Sequence, residues 1–312
     1  MQTARPVTAT RLLRLTSSAR ENLDGYVFIL PWLVGFFGLT LGPMIASLYY
    51  SLTDYPLLSG PVWIGLGNYR KLTQDWLIPQ SLKVTFVYSI SSIPLSMILA
   101  LALAMLLNVR IRGILVFRTI YYLPTILGGV AVSLIWMLLF SNTYGLFNYL
   151  LDLVGLGPIR WLTSQRWALS ALVFMSLWSV GGSVIIFLAG LQNIPSHLYE
   201  AARIDGATSW QEFRYVTLPQ LTPTIFFSLV MGVIGALQTF TQSFIMTGGG
   251  PNYATYFYVL YLYQNAFQYF SMGYASAMAW LLFVIILALT AFIFRSSPAW
   301  VYYESSLRGR RQ

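Results

Sequence analysis

Long stretches without a charged side chain alternate with short polar ones along this chain, and the alternation sets its architecture. Uncharged apolar segments run over Tyr26–Tyr50, Val84–Leu107, Thr119–Phe140, Trp167–Leu191, Thr224–Thr247 and Tyr274–Phe294. A helix needs about 20 such residues to cross the hydrocarbon core of a bilayer. The pattern predicts an all-α polytopic membrane protein with six transmembrane helices in a 26–295 domain, flanked by tails at 1–25 and 296–312. Between the last two spans lies "TYFYVLYLYQNAF", Thr255–Phe267, shorter and rich in tyrosine. Tyrosine favours the membrane–water interface, so a short helix lying on the surface is expected there.

Composition agrees with the pattern. Apolar residues make up 57% of the chain and charged residues 9%, with a mean hydropathy of +0.67, whereas soluble domains carry about 25% charged residues. The net charge of +9 is that of a membrane protein whose Lys and Arg gather in cytoplasmic loops. Nucleic acid is not an expected partner, because no basic helix or aromatic–basic platform is present. The distribution of charge gives an orientation. Arg5, Arg11, Arg14 and Arg20 precede span one; Arg110, Arg112 and Arg118 follow span two; Arg203 and Arg214 follow span four; Arg295, Arg308, Arg310 and Arg311 close the chain. Only Arg70, Lys71, Lys83, Arg160 and Arg166 fall on the other side. Both termini are therefore expected in the cytoplasm, with the opening segment a retained tail and not a signal peptide.

Inside the spans, Pro31, Pro43, Pro94 and Pro124 predict kinks, and Gly128, Gly129, Gly181, Gly182, Gly232 and Gly235 predict close helix packing. Kinked helices also line transport cavities, which leaves a pathway open as a reading. Catalysis has few residues to work with. His197 is the one histidine, cysteine is absent, and no acid lies within a span. Intramembrane protease chemistry is excluded, and ion-coupled transport, which relies on ionisable groups within the membrane, is disfavoured. No phosphate-binding G-x-x-x-x-G-K-[ST] loop exists, so energy for active transport must come from another chain.

The exception to the oil is "EAARIDGATSWQEF", Glu200–Phe213, which lies just before a charge-free run from Tyr215 to Phe294. The 192–223 segment reads as two short helices around a turn. Ser196 is positioned to cap the first, and Leu198, Ala201 and Ala202 lie at one-sided spacing. Gly206 supplies the left-handed residue that ends it. Thr208 and Gln211 form a capping-box pattern, Trp210 and Phe213 share a face, and Pro219 is expected to stop the second helix. A Glu200–Arg203 pair at i, i+3 adds little stability when exposed, so it does not account for the charges. Two readings remain from pattern alone: an interfacial connector, or a docking surface for a cytoplasmic partner.

At these residues the sequence resembles the EAA loop of ABC importer permeases. Glu200, Ala201, Ala202, Asp205, Gly206, Ala207, Phe213, Leu218 and Pro219 match its E-A-A-x-x-D-G-A … F … L-P pattern without a gap. "FLAGLQNIP" (Phe187–Pro195), "TGGGP" (Thr247–Pro251), "YASAMAW" (Tyr274–Trp280) and "WVYYE" (Trp300–Glu304) resemble carbohydrate-uptake permeases. "TGGGPNYAT" resembles the MalF/UgpA-type half in its simpler six-span form, without the large outer insertion and extra N-terminal helices of MalF.

The resemblance implies a binding-protein-dependent importer of a sugar or oligosaccharide in a bacterial or archaeal inner membrane. A second MalG/UgpE-type permease subunit, two cytoplasmic ATPase subunits that bind ATP and Mg, and an extracytoplasmic solute-binding protein would be the partners, besides membrane lipid. No cofactor is expected in this chain. Glu200, Ala201, Ala202, Asp205, Gly206, Ala207, Trp210 and Phe213 would couple it to an ATPase. The resemblance also places a substrate site in the later spans, where Trp178, Ser179, Gly182, Ser183, Gln238, Thr239, Phe240 and Gln242 offer hydroxyls, amides and aromatic faces suited to a sugar. Gln238 and Gln242 are equally readable as bridges between helices. The absence of charge in these spans favours a neutral sugar over glycerol 3-phosphate or a polyamine. A channel or scaffold needing no nucleotide is the rival from another class.

Overall fold

The computed structural model describes residues 17–109 and 112–302. The outer parts of both tails, Arg110, and Tyr303 and Glu304 of the "WVYYE" stretch lie outside the described residues. The fold is almost wholly helical, as expected. Three helices, Asp24–Ser51, Leu77–Leu107 and Met272–Ala299, are long and apolar enough to cross a membrane. Three bent pairs complete a set of six if each counts as one span: Ile114–Ile126 with Gly129–Leu139 at 99°, Ala168–Ser179 with Gly181–Gln192 at 49°, and Ser209–Gln220 with Thr222–Leu237 at 62°. Spans three, four and five are thus broken helices, where the apolar runs alone read as continuous ones.

In chain order, α1 (Ser17–Gly35) passes through a π-turn at Phe36–Leu41 into α2 (Gly42–Ser51). Pro31 lies inside α1, and Pro43 opens α2, where a missing N–H costs nothing. A two-residue hairpin, β1 (Thr53–Asp54) with β2 (Val62–Trp63), and α3 (Gly67–Gln74) lead to α4 (Leu77–Leu107). Helix α4 is the central post of the bundle. A stripe of hydroxyls runs down it: Ser81, Thr85 and Ser89 are buried and each donates to a carbonyl of the preceding turn at 2.8 to 3.0 Å. Bonding back to their own helix satisfies the donors of these polar side chains within an apolar interior.

Helices α5 (Ile114–Ile126), α6 (Gly129–Leu139), α7 (Leu146–Leu153), α8 (Ala168–Ser176) and α9 (Gly181–Gln192) follow. The break between α5 and α6 falls just after Pro124, where Leu127 and Gly128 are extended. Of the glycines expected to mediate close packing, Gly181 is the tightest, since an added Cβ would lie 2.3 Å from the carbonyl oxygen of Tyr121. Gly129 and Gly232 also face neighbours, Thr241 and Ile93. Gly128, Gly182 and Gly235 have nothing within 4 Å of where a Cβ would be, so their packing role is not realised within the chain.

Helices α10 (Ser196–Ile204), α11 (Ser209–Glu212), α12 (Leu218–Gln220) and α13 (Thr222–Leu237) bring the chain into span five, and α14 (Tyr258–Tyr263) and α15 (Met272–Ser296) complete it. The tyrosine-rich segment does not lie on the surface. Tyr258, Leu260 and Tyr261 of α14 are buried in the larger of two cores, together with Tyr88, Trp136, Phe140, Leu172 and Met278. The polar ends of its tyrosines find partners inside the protein: Tyr258 donates to the Met278 carbonyl at 2.9 Å, and its own N–H donates to Thr85 at 3.0 Å. Tyr261 and Tyr274 both donate to the Asp75 carboxylate, Tyr274 at 2.6 Å, while Asp75 also accepts from the N–H of Leu77 at the head of α4. Lys71 sits over the Tyr274 ring, 4.5 Å from its centroid. Tyrosine's preference for an interface with water is overridden because buried partners satisfy the hydroxyls of Tyr258 and Tyr261. Burial, followed by the hydrogen bond to Asp75, raises the Tyr261 phenol above its ordinary range and keeps it a donor.

A second core, Ala100, Ala104 and Leu107 of α4 with Val184, Phe187, Leu188 and Leu191 of α9 and Leu221, lies toward the polar 192–223 loop. By contrast, Tyr26, Val27, Phe28, Ile29, Leu30 and Trp32 of α1 are exposed, as suits a helix surrounded by lipid or another membrane chain.

Candidate functional site

Two regions gather the residues singled out above. In the first, the 192–223 loop, α10 begins at Ser196 itself. Its N-cap is Pro195, which carries no hydrogen-bonding side chain, so Ser196 is the first helical residue and not a cap. Leu198 and Ala202 face inward and half-buried, while Ala201 is exposed. The helix ends as expected: Gly206 has φ 78, the Gly206 N–H bonds to the Arg203 carbonyl at 3.1 Å, and the Ala207 N–H bonds to the Ala202 carbonyl at 2.9 Å. That is a Schellman ending, which requires a left-handed residue and so favours glycine.

Thr208 and Gln211 form the capping box. The Thr208 N–H donates to Gln211 Oε1 at 2.7 Å, and the Gln211 N–H donates to Thr208 Oγ1 at 3.4 Å. Trp210 and Phe213 pack ring against ring with centroids 5.5 Å apart, and Trp210 is 67% exposed. Arg203 does not pair with Glu200. It crosses the turn to Glu212 at 2.8 Å, the single ion pair among the described residues, because the Gly206 turn folds α11 back against α10. Tyr199 and Thr217 add a hydroxyl–hydroxyl bond of 2.9 Å. Nor does Pro219 stop the second helix. A π-turn at Phe213–Thr217 widens the coil, and Pro219 falls within the first two positions of α12, where proline is tolerated. The loop thus presents Glu200, Ala201, Asp205, Gly206 and Trp210 outward on a braced support.

The second region lies where spans four and five break. The α8 helix passes into a tight 3-10 turn at Leu177–Ser179, and α13 ends at Leu237, leaving Gln238, Thr239 and Phe240 outside regular helix before a π-turn at Ser243–Thr247. A cavity of about 300 Å³ opens there, lined by Pro124, Thr125, Ser179, Thr241 and Gln242, with Leu127, Gly129, Val132 and Met175 as its apolar walls. No charged side chain lines it.

Of the eight residues expected to contact substrate, Ser179 and Gln242 reach this cavity. Trp178 instead packs edge-on to Trp136 at 6.1 Å, Phe240 stacks on Phe244 at 5.1 Å and meets Tyr263 at 5.0 Å, and Thr239 is buried. Gly182 and Ser183 lie a turn further down α9, and Gln238 is exposed. Among the described residues neither Gln238 nor Gln242 makes a side-chain bridge. Thr125 and Thr241 went unnoticed in the sequence; the pairing of Pro124 with Gly128–Gly129 was the signal that span three breaks and lends its corner to the wall.

A family described as "binding-protein-dependent transport system inner membrane component" matches residues 92–300, which contain both regions. The chain belongs to this family. The probable ABC transporter permease YesP of Bacillus subtilis (strain 168) is 47% identical over 302 residues, 95% of this chain and 97% of its own. The trehalose/maltose transport system permease MalF of Thermococcus litoralis is 35% identical over 87% of this chain and 92% of its own. A bacterial ABC transporter involved in import of the acidic polysaccharide alginate contains a chain that superposes with a TM-score of 0.79 at 25% identity, covering 90% of this chain and 97% of that one. Permeases of this family are transport subunits and not enzymes; ATP is hydrolysed by a separate chain.

Proposed function

We propose that this permease forms half of the pathway of an ABC importer for a sugar or oligosaccharide and receives the ATPase stroke through the 192–223 loop. The observation that carries the reading is the braced loop, which holds Glu200, Ala201, Asp205, Gly206 and Trp210 outward on a two-helix support. ATP closure of an ATPase dimer would carry such a support as a rigid body and switch the spans between inward and outward access. The second permease subunit of MalG/UgpE type, two ATPase subunits and an extracytoplasmic solute-binding protein complete the assembly. The charge distribution supports a cytoplasmic position for both termini and the loop at the inner membrane.

The broken spans supply the second half of the reading. Backbone irregularity at membrane depth is tolerated where it lines a cavity, and this cavity offers two hydroxyl groups of threonine, one of serine and one amide with apolar walls. That chemistry suits a neutral sugar ring. A polyamine would need a carboxylate there and glycerol 3-phosphate an arginine or lysine, and the cavity lining contains neither. The test is ATP-dependent uptake by the full complex in proteoliposomes, with radiolabelled trehalose, maltose and alginate oligosaccharides, after the solutes named for relatives. Uptake of a neutral sugar that is lost with Glu200→Ala or Gly206→Pro is expected. Solute passage without ATP or partners would overturn the importer reading, and normal uptake by both variants would overturn the role of the loop.

A further inference from the structure

Arg118, on the second turn of α5, is a half-buried cation with no counter-charge among the described residues. Its Nη2 donates to the carbonyl of Leu107, the last residue of α4, at 2.9 Å. A cation is favoured at the C-terminal end of a helix, so this bond helps to hold the guanidinium in place. It uses one of five donors. Nε is buried and has no acceptor among the described residues. Helices α4, α5 and α9, which surround it, contain no Asp or Glu. A buried donor on a charged group is costly to leave unpaired. The site therefore calls for an anion from outside the chain.

Arg118 lines a cavity of about 290 Å³ between the end of α4, α5 and α9. On α9 the wall is Gly181, Val184, Ile185, Leu188 and Gln192, whose spacing of three and four keeps them on one face. At about 1.5 Å of rise per residue that face is about 16 Å long, close to half of the roughly 30 Å hydrocarbon core. The wall is apolar except at Gln192, where α9 gives way to the polar 192–223 loop. Tyr121 and Tyr122 of α5 close the other side, and both are exposed, as is Ile185. No residue of α5 is buried. The cavity is thus an apolar groove one leaflet deep, with a cation near its polar end.

We propose that this groove binds one anionic phospholipid of the leaflet that the charge distribution assigns to the cytoplasm, with the phosphate on Arg118 and an acyl chain along α9. Charge complementarity decides the class. A phosphodiester accepts from a guanidinium in fork geometry, and basic pockets between spans on the cytoplasmic side suit such headgroups. Gln192 and the hydroxyls of Tyr121 and Tyr122 line the same groove and supply further donors. Arg112, exposed on the loop before α5, adds to the positive field. A zwitterionic lipid would bring its own cation to a site that is already positive. The inference is independent of which solute the permease carries.

The test is photocrosslinking in the full complex, reconstituted in vesicles of equal parts phosphatidylglycerol and phosphatidylcholine. Benzoylphenylalanine replaces Ile185 on the groove wall or, as a reference, the exposed Phe28 of α1. Position 185 should capture phosphatidylglycerol about tenfold over phosphatidylcholine, the scale of a charge-assisted hydrogen bond, and position 28 should show no preference. Arg118→Gln should abolish the preference and Arg118→Lys should keep part of it. Ala189→Trp fills the groove from its exposed wall without touching the bond to Leu107, and should lower capture of both lipids. Equal capture of the two lipids at 185, or a preference that survives Arg118→Gln, would overturn the proposal. Crosslinking of position 185 to the second permease subunit would make the groove a subunit interface. Loss of lipid capture on adding inorganic phosphate would make Arg118 a site for a soluble anion. Either result would also overturn the lipid.

Discussion

The two irregular segments at opposite ends of span five, the 192–223 loop and the 248–271 segment, are built by opposite means. The first is exposed and charged, and its fastenings are local: the capping box spans three residues, the Arg203–Glu212 pair nine and the Tyr199–Thr217 bond 18. The second has no charged residue, is buried through Thr255–Tyr258, Leu260 and Tyr261, and is fastened there by bonds that reach far along the chain. Tyr258 reaches Thr85 across 173 positions and Tyr261 reaches Asp75 across 186, where Tyr274 of α15 donates to the same carboxylate. A locally fastened segment can move as a unit without unfolding its neighbours. One fastened across the bundle cannot move unless the bundle does. The 192–223 loop is therefore suited to receive motion, and the 248–271 segment to hold the opposite end of the helices in register.

The strongest way to break this comparison is to remove Asp75. Asp75→Ala strips two tyrosine hydroxyls and the head of α4 of their shared acceptor and leaves donors buried without partners. Hydrogen bonds to a charged group are worth more than neutral ones, and the loss should reach about 3 kcal/mol. It should appear as a lower midpoint for thermal unfolding of the detergent-purified complex, with Asp75→Asn retaining part of the stability. An unchanged midpoint would mean that the clasp does not hold the bundle together.

A middle-sized effect is expected at Gly206. Gly206→Val forces a branched side chain into the left-handed region at φ 78, at a cost of about 1–2 kcal/mol. Because the Schellman ending is local, that cost should fall on the loop. Amide hydrogen exchange should rise across 203–212 and uptake should fall, while the global midpoint stays near that of the parent. A drop in the midpoint as large as that of Asp75→Ala would erase the distinction between the two segments.

The same distinction explains what could be read from the chain alone. The Gly206 ending and the Thr208–Gln211 box follow from residues within a few positions of one another, and the structure has both; of the six apolar runs, three form single long helices and three contribute to bent pairs. The misreadings depend on distant partners or on helix geometry that one-dimensional spacing does not carry. Tyrosines 258 and 261 looked interfacial because nothing near them in sequence could satisfy their hydroxyls; Asp75 and Met278 do so from other helices. Arg203 had Glu200 at the right spacing, yet the fold-back at Gly206 offers it Glu212. Phe240 looked available to a sugar until the π-turn put it against Phe244 and Tyr263. Ser179 and Gln242 line the cavity because both stand at breaks, while Trp178 and Phe240 pack against other aromatic rings.

The smallest effect gives the sharpest test of how local the loop is. Two hydroxyl residues were positioned to start its helices, and only one does so. Thr208 accepts from the Gln211 N–H, while Ser196 lies one residue inside α10 behind a proline cap. Loss of a cap costs about 1 kcal/mol, so Thr208→Ala should speed hydrogen exchange at the amides of 209–212 roughly fivefold. Ser196→Ala, which removes no cap bond and substitutes a better helix former, should leave exchange over 196–204 unchanged or slower. Equal acceleration in the two variants would mean that both serve as caps in solution. Acceleration that spread from 208 into α13 would mean that α11 is not held by its own box but by the helix it leads into, and the loop would then belong with the long-range half of the molecule.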